Sequence, residues 1–296
     1  MTTIKLFKAK DSEVSELNTL SVGVEKSLQT MIERNLELFL KVRFLASEYN
    51  TGKTHGGRID TLGIDENNAP VIIEYKQSIN ANVINQGLFY LDWLLDHKAE
   101  FKLLVMGKLG EKVGNSIEWS NARLLCIASN FTKYDEHAVN HMNHNIELIR
   151  YRKFEEGILL IELVNTTSAD GGGITSGRQA TVTELYEKMS QKEKDRYESI
   201  KAFILDLGDD VQEKITKFYI AFKKLSNFAC FEFHPGSQEI VIFLRIDPQT
   251  LHLEEGFTRD VTKIGHFGTG NLEVKINSDD DVRKAQELIQ RAYEES

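Results

Sequence analysis

Six residues, VIIEYK at 71–76, limit what this chain can fold into more than any other stretch. Val71, Ile72 and Ile73 are β-branched and favour a strand. Side chains of a strand alternate between its faces. Val71, Ile73 and Tyr75 therefore share one apolar face, and Glu74 and Lys76 share the other. Burying a carboxylate and an ammonium on so apolar a strand is costly unless something binds them. The turn formers of DENNAP, at 65–70, join this strand to a second one, GRIDTLGI at 57–64. There Asp60 lies on the same side as Arg58 and Leu62, and the hairpin brings it against Glu74. A long amphipathic helix, NANVINQGLFYLDWLLDHK at 80–98, follows directly.

Two carboxylates and a lysine placed this way can hold a divalent metal and an attacking water beside a phosphate. Hard cations such as Mg²⁺ take carboxylate oxygens and need only one or two from the protein. A bound cation lowers the pKa of water and offsets charge growing on a phosphate. A neighbouring lysine orients the water or stabilises the transition state. The plainer alternative is a Glu74–Lys76 ion pair on an edge strand, with Asp60 merely solvated.

The rest of the chain sets the frame. Residues 165–181, NTTSADGGGITSGRQAT, lack apolar periodicity and read as a flexible linker between residues 1–164 and 182–296. Ahead of it, an isolated IKLF precedes a helix over 22–40, with Val24, Leu28, Met31, Ile32, Leu36 and Phe39 at helical spacing. VRFLASEY, FKLLVMG and ARLLCIAS read as strands, and YDEHAVNHMNH as helical. IELIRYRKF and GILLIELV read as a closing hairpin around residues 155–157. Strands alternating with helices imply an α/β sheet flanked by helices. Beyond the linker come a helical pair capped by Thr181 or Thr183, then strands KFYIAFKKL, NFACFEF, EIVIFLRI and NLEVKI. A final helix is capped by Ser278 or Asp279. That is a smaller α+β domain with an antiparallel sheet.

Composition excludes little. With 41% hydrophobic and 27% charged residues the chain is that of a globular protein. No apolar run is long enough for a membrane helix and no signal peptide is legible, so no membrane partner and a cytoplasmic location are expected. Cys126 and Cys230 lie in apolar runs and read as reduced core residues. The net charge of −9 argues against a general nucleic-acid coat protein, and acids outnumber bases on both sides of the linker. A nuclease needs only a local basic groove.

Asp60 followed by Glu74-Tyr75-Lys76 resembles the PD-(D/E)XK nuclease superfamily, with its restriction-endonuclease-like mixed sheet flanked by helices. The usual proline before the first acid is absent; Arg58 and Ile59 occupy that region. The resemblance covers residues 22–101, extending by topology toward 164. It implies Asp60, Glu74 and Lys76 as catalytic residues and Asp60 and Glu74 as ligands of Mg²⁺ or Mn²⁺. A further ligand and catalytic glutamate belongs on the first helix, where Glu25 matches best and Glu33 second. The archaeal-type branched-DNA endonucleases of this superfamily carry a glutamine and an aromatic residue on the helix after the lysine. Gln86 and Tyr90, four apart and on one helical face, fit that pattern. With Arg58 they are the candidate substrate-binding residues. The implied partner is nucleic acid, DNA first, and a homodimer is left open. Residues 182–296 look like an uncharacterised domain that accompanies such modules, sometimes labelled a predicted transport protein.

Other signals are weaker. His137, His141 and His144 could share a helical face and hold zinc, although no acid- or cysteine-rich motif joins them. Arg150, Arg152 and Lys153 could touch a nucleic-acid backbone or form the wet face of a hairpin. GHFGTGN at 265–271 precedes a strand instead of opening a helix, so a turn is the better reading. The expected activity is phosphodiester hydrolysis. The rivals are a non-catalytic nucleic-acid-binding or assembly module on the same fold, and a ligand- or protein-interaction protein acting through the C-terminal domain.

Overall fold

The structure is a computed structural model that describes residues 4–10, 13–20, 25–52, 56–76, 82–167 and 180–296. A mixed seven-stranded sheet lies between helices, and a separate six-stranded antiparallel sheet follows it.

The chain opens with a two-stranded ribbon, β1 (Leu6–Lys10) and β2 (Glu13–Leu17). A short β3 (Thr19–Leu20) leads to helices α1 (Glu25–Arg34) and α2 (Leu36–Leu40). Next come β4 (Val42–Asn50), β5 (Arg58–Asp65), β6 (Pro70–Lys76) and α3 (Asn82–Asp96). Helices α4 (Lys98–Leu109) and α5 (Glu111–Asn115), strand β7 (Arg123–Ala128) and α6 (Lys133–Val139) continue the unit. The hairpin β8 (Asn145–Phe154) and β9 (Leu159–Thr167) closes it. The sheet order is β3-β8-β7-β6-β5-β4, with β9 on β8. Strands β6, β7 and β8 are mutually parallel, and β4, β5 and β6 are antiparallel.

Strand parity divides the core as the sequence requires. Val71, Ile73 and Tyr75 pack with Leu28 and Ile32 of α1 and Leu36 and Leu40 of α2. Ile72 faces the opposite layer, with Leu91, Trp93 and Leu94 of α3. Helix α3 approaches β7 closely: a Cβ at Gly87 would sit 2.4 Å from the Leu124 side chain.

Three local expectations change. FKLLVMG is helical, within α4, and not a strand: its leucines, lysine and methionine are good helix formers, and Phe101 and Val105, one turn apart, are its buried pair. A short apolar run does not by itself separate the two conformations. Helix α6 ends at Val139, so His141 and His144 both lie beyond it; the His137 and His141 rings meet edge to face at 4.6 Å. Strand β9 runs to Thr167, which places residues 165–167 in the sheet, paired with β8, and not in a free connection.

The second unit starts with α7 (Val182–Glu187) and α8 (Gln191–Asp206). Thr181 is the cap of α7, in a reciprocal capping box with Glu184. Strands β10 (Gln212–Ile215), β11 (Ile220–Lys223), β12 (Asn227–His234), β13 (Glu239–Leu244), β14 (Thr258–Asp260) and β15 (Leu272–Ile276) follow. The last element is α9 (Asp279–Glu294), capped by Ser278. The order is β10-β11-β12-β13-β15-β14. The strand expected over KFYIAFKKL is confined to β11, and β10 and β14 are additional. Helices α7, α8 and α9 cover one face of this sheet.

The two sheets meet through a buried polar contact. The turn between β5 and β6 supplies much of it. Glu66 pairs with Arg245 and accepts from the Asn227 backbone N–H. The Tyr219 hydroxyl donates to Asn67 at 2.6 Å. Beneath the turn, Arg123 bridges Asp65 at 3.2 Å and Glu147 at 2.6 Å. Lys223 stands 3.5 Å from Glu147, and Lys214 donates to Asn145 at 2.9 Å.

Candidate active site

The β5–β6 ladder runs from Ile64↔Pro70 to Thr61↔Ile73 and stops one residue short of Asp60 and Glu74. Beyond that point β5 stays paired with β4 as far as Arg58, and β6 with β7 as far as Lys76. The sheet forks, and two carboxylates fill the fork. The Tyr75 N–H donates to Asp60 Oδ2 at 3.0 Å, and the Asp60 N–H donates to Glu74 Oε1 at 3.1 Å. Side chains thus replace the ladder bonds that the backbones no longer make.

Glu74 is fully buried, and its Oε2 has no hydrogen-bond partner. Burial, and after it the Asp60 charge, push its carboxyl up to about 9, against smaller opposing pulls from the Asp60 N–H and then from Lys76. Lys76 is half-buried on the same face, at the end of a central strand and not an edge strand. The plain alternative placed the Glu74–Lys76 pair on an edge strand, whereas β6 lies between β5 and β7.

On the other face, α1 braces the same point of β5. Gln29, almost fully buried, donates to the Asp60 carbonyl at 2.8 Å and to Glu33 at 2.9 Å. The Thr61 hydroxyl donates to Glu33 at 2.6 Å. Glu33 therefore supports the strand beside Asp60. The side chain of Glu25, the first-choice helix glutamate, lies outside the described residues. Glu48 lies between Ser47 and Tyr49, which pair with Thr61 and Ile59, and so it stands across from Asp60. Its φ of 53° is left-handed, a conformation that a glutamate adopts at a cost. It binds Lys26 and Arg58, and Lys26 above all holds its carboxyl below the usual range.

Gln86 and Tyr90 meet each other and the start of β5. The Gln86 amide donates to the Tyr90 hydroxyl at 3.2 Å, and so does the Arg58 N–H at 3.1 Å. Tyr90 is 5% exposed. Its ring fills the space over Gly57, where a Cβ would come within 2.5 Å of it. The pair fixes the segment that delivers Asp60, and the Arg58 side chain turns outward to Glu48.

Gln29, Glu48 and Thr61 escaped the sequence reading. The available signal was Gln29 and Glu33, a polar pair four apart on an otherwise apolar helical face. Among the described residues no group of three or more His, Cys, Asp and Glu side chains converges on one point. Asp60 and Glu74 fit a divalent cation in donor chemistry, and the unpartnered Oε2 is a buried oxygen that such an ion would satisfy.

Comparison with known proteins adds the following. Residues 182–296 match a family described as a domain of unknown function (DUF5655). A Haemophilus influenzae protein described as uncharacterized is 28% identical over 309 residues, covering 99% of this chain and all of that one. A solved structure of an EndoMS–dsDNA2 complex is similar at 17% identity and a TM-score of 0.27. The match spans 48% of this chain and about half, 49%, of that one.

Proposed function

We propose that this chain is a divalent-metal-dependent nuclease that hydrolyses phosphodiester bonds, with DNA as the first substrate class. The observation that carries the reading is the fork in the sheet, where Asp60 and the buried Glu74 stand side by side with one carboxylate oxygen unpartnered. Asp60 and Glu74 would hold Mg²⁺ or Mn²⁺, which supplies Lewis acidity and lowers the pKa of water. Lys76, on the same face, orients the attacking water through its ammonium hydrogens and offsets charge on the phosphate. Gln86 and Tyr90 hold the entry to β5, so that Asp60 keeps its distance from Glu74. Gln29 holds the Asp60 carbonyl from behind.

The test is purified full-length chain with Mn²⁺ or Mg²⁺ on single-stranded, duplex and branched DNA and on RNA. Cleavage of at least one substrate is expected, with Lys76→Ala and Glu74→Gln each slowing it by about 10²-fold or more. Identical behaviour of wild type and Lys76→Ala on every substrate ends the catalytic reading. Salt-sensitive binding without turnover instead supports a non-catalytic module on the same fold.

A further inference from the structure

Within β4, Glu48 holds a φ of 53°. A glycine would take this backbone without strain, so a glutamate here answers to its side chain and not to the chain path. That side chain meets two cations, one on each oxygen. Lys26 of α1 reaches Oε1 at 2.5 Å, and Arg58, the first residue of β5, reaches Oε2 at 2.5 Å through Nε. Neither cation is used up by the contact. The Lys26 side chain is 57% exposed, and its ammonium has a third hydrogen beyond those directed at Glu48 and, at 3.2 Å, at Gln29. The Arg58 side chain is 67% exposed, and a guanidinium engaged through Nε keeps its terminal amino groups for a second acceptor. The cluster borders the fork. Arg58 precedes Asp60 by two residues on β5, and Glu48 stands across from Asp60. Beside Arg58 an open groove is lined by Asn50, Gly52, Gly56 and Gly57. The glycines bring no side chain into it, so a sugar–phosphate backbone can lie close to the chain.

We infer that Glu48 is a positioning residue: it holds Lys26 and Arg58 together as a clamp for a backbone phosphate of a DNA strand entering the fork. The inference rests on the nuclease reading for the identity of that strand. Two cations on the two oxygens of one carboxylate stand side by side, so one phosphate can take donors from both. The guanidinium offers paired N–H groups that match phosphate oxygens, and the ammonium adds a point charge. Without the carboxylate the two cations repel, and their long side chains swing apart. With it the pair keeps a net positive charge and a fixed spacing. Strain at residue 48 is then the cost of holding the clamp beside Asp60.

Fluorescence anisotropy of labelled single-stranded and duplex DNA with the full chain, in chelator, reads the clamp without cleavage. Wild type is expected to bind at least one form. Arg58→Ala weakens that binding about tenfold and lowers the slope of log affinity against log salt by about one. Glu48→Gly is the sharper variant. It removes a negative charge beside the phosphate, so charge alone predicts tighter binding, whereas loss of the clamp predicts binding weaker by about fivefold or more. Glycine accepts the left-handed backbone, so the melting temperature holds or rises while binding falls. Glu48→Gly that binds as tightly as wild type, or more tightly, overturns the proposal. So does Arg58→Ala with unchanged binding, and so does a wild type that binds neither form. If Glu48→Gly melts lower, Glu48→Gln decides on the same scale: weaker binding supports the clamp, and unchanged or tighter binding overturns it. Cleavage by wild type in Mn²⁺ with variants that bind like it removes the clamp and leaves the nuclease reading. Clamp-dependent binding with no cleavage does the reverse.

Discussion

Glu74 has the most unusual chemistry of any side chain in the fork. Its carboxyl is raised to about 9, so the folded chain keeps a proton there that the unfolded chain has already lost. Folding stability from this group is full in mild acid and falls as pH rises toward 9. In chelator, the melting temperature should drop across that window by several degrees, and Glu74→Gln should flatten the slope. A cation at the site competes with the proton, so stabilisation by Mn²⁺ should grow with pH and vanish in Glu74→Gln. A melt series with and without Mn²⁺ checks both; stabilisation independent of Glu74 rejects the assignment of the ligand. Asp60, Glu74 and Lys76 were legible because strand alternation assigns faces without any tertiary knowledge. Glu48 was not legible, because its left-handed backbone breaks the alternation that such reasoning uses.

At the scale of elements, the site depends on how β5 is held from both sides. Tyr90→Phe removes the acceptor of the Arg58 N–H and of Gln86, at a cost of about 1–3 kcal/mol. Denaturant titration measures the loss, and any activity should fall with it because the start of β5 loosens. Gly57→Ala should act in the same direction, since its Cβ would meet the Tyr90 ring. In the second unit, Ser278→Ala breaks the capping box of α9 at a cost of about 1 kcal/mol without touching the fork. The hairpin, α3 and α9 were readable from turn residues, periodicity and caps. Helix α4 was not, because seven apolar-rich residues suit either conformation until Phe101 and Val105 find their neighbours.

Across the whole molecule, the two sheets are joined by charges and amides more than by an apolar seam. Glu147 is buried among Arg123, Lys223 and Lys214, and despite its burial they hold its carboxyl down at about 2. Its contribution is present above the ordinary glutamate range and is lost as pH falls through about 2. Glu147→Ala removes the carboxylate beside buried Lys223 and leaves Arg123 with Asp65 alone, and should cost about 3–5 kcal/mol. Equilibrium unfolding would show this as a shifted or split transition; an unchanged midpoint shows that the contact is not stabilising. None of this was visible in DENNAP, which reads as a bare turn. Asp65 acquires Arg123 from β7, and Glu66 and Asn67 acquire Arg245, Tyr219 and Asn227 from the far sheet, 179, 152 and 160 residues away along the chain.

The sequence by itself determined the polar and apolar faces of VIIEYK, the hairpin that offers Asp60, the helix with Gln86 and Tyr90, and the two-sheet architecture. These follow from local rules: period-two alternation, turn chemistry, helical spacing and caps. Only the tertiary structure decided that the β5–β6 ladder stops where the two acids begin, that Gln29 and Glu33 brace the strand from behind, and that a buried charge cluster joins the sheets. It also decided that the glycine-rich turn lines a cavity beside the ion-paired Glu273. Each of these rests on groups far apart in the chain whose charges and lone pairs are satisfied, or left unsatisfied, by packing alone.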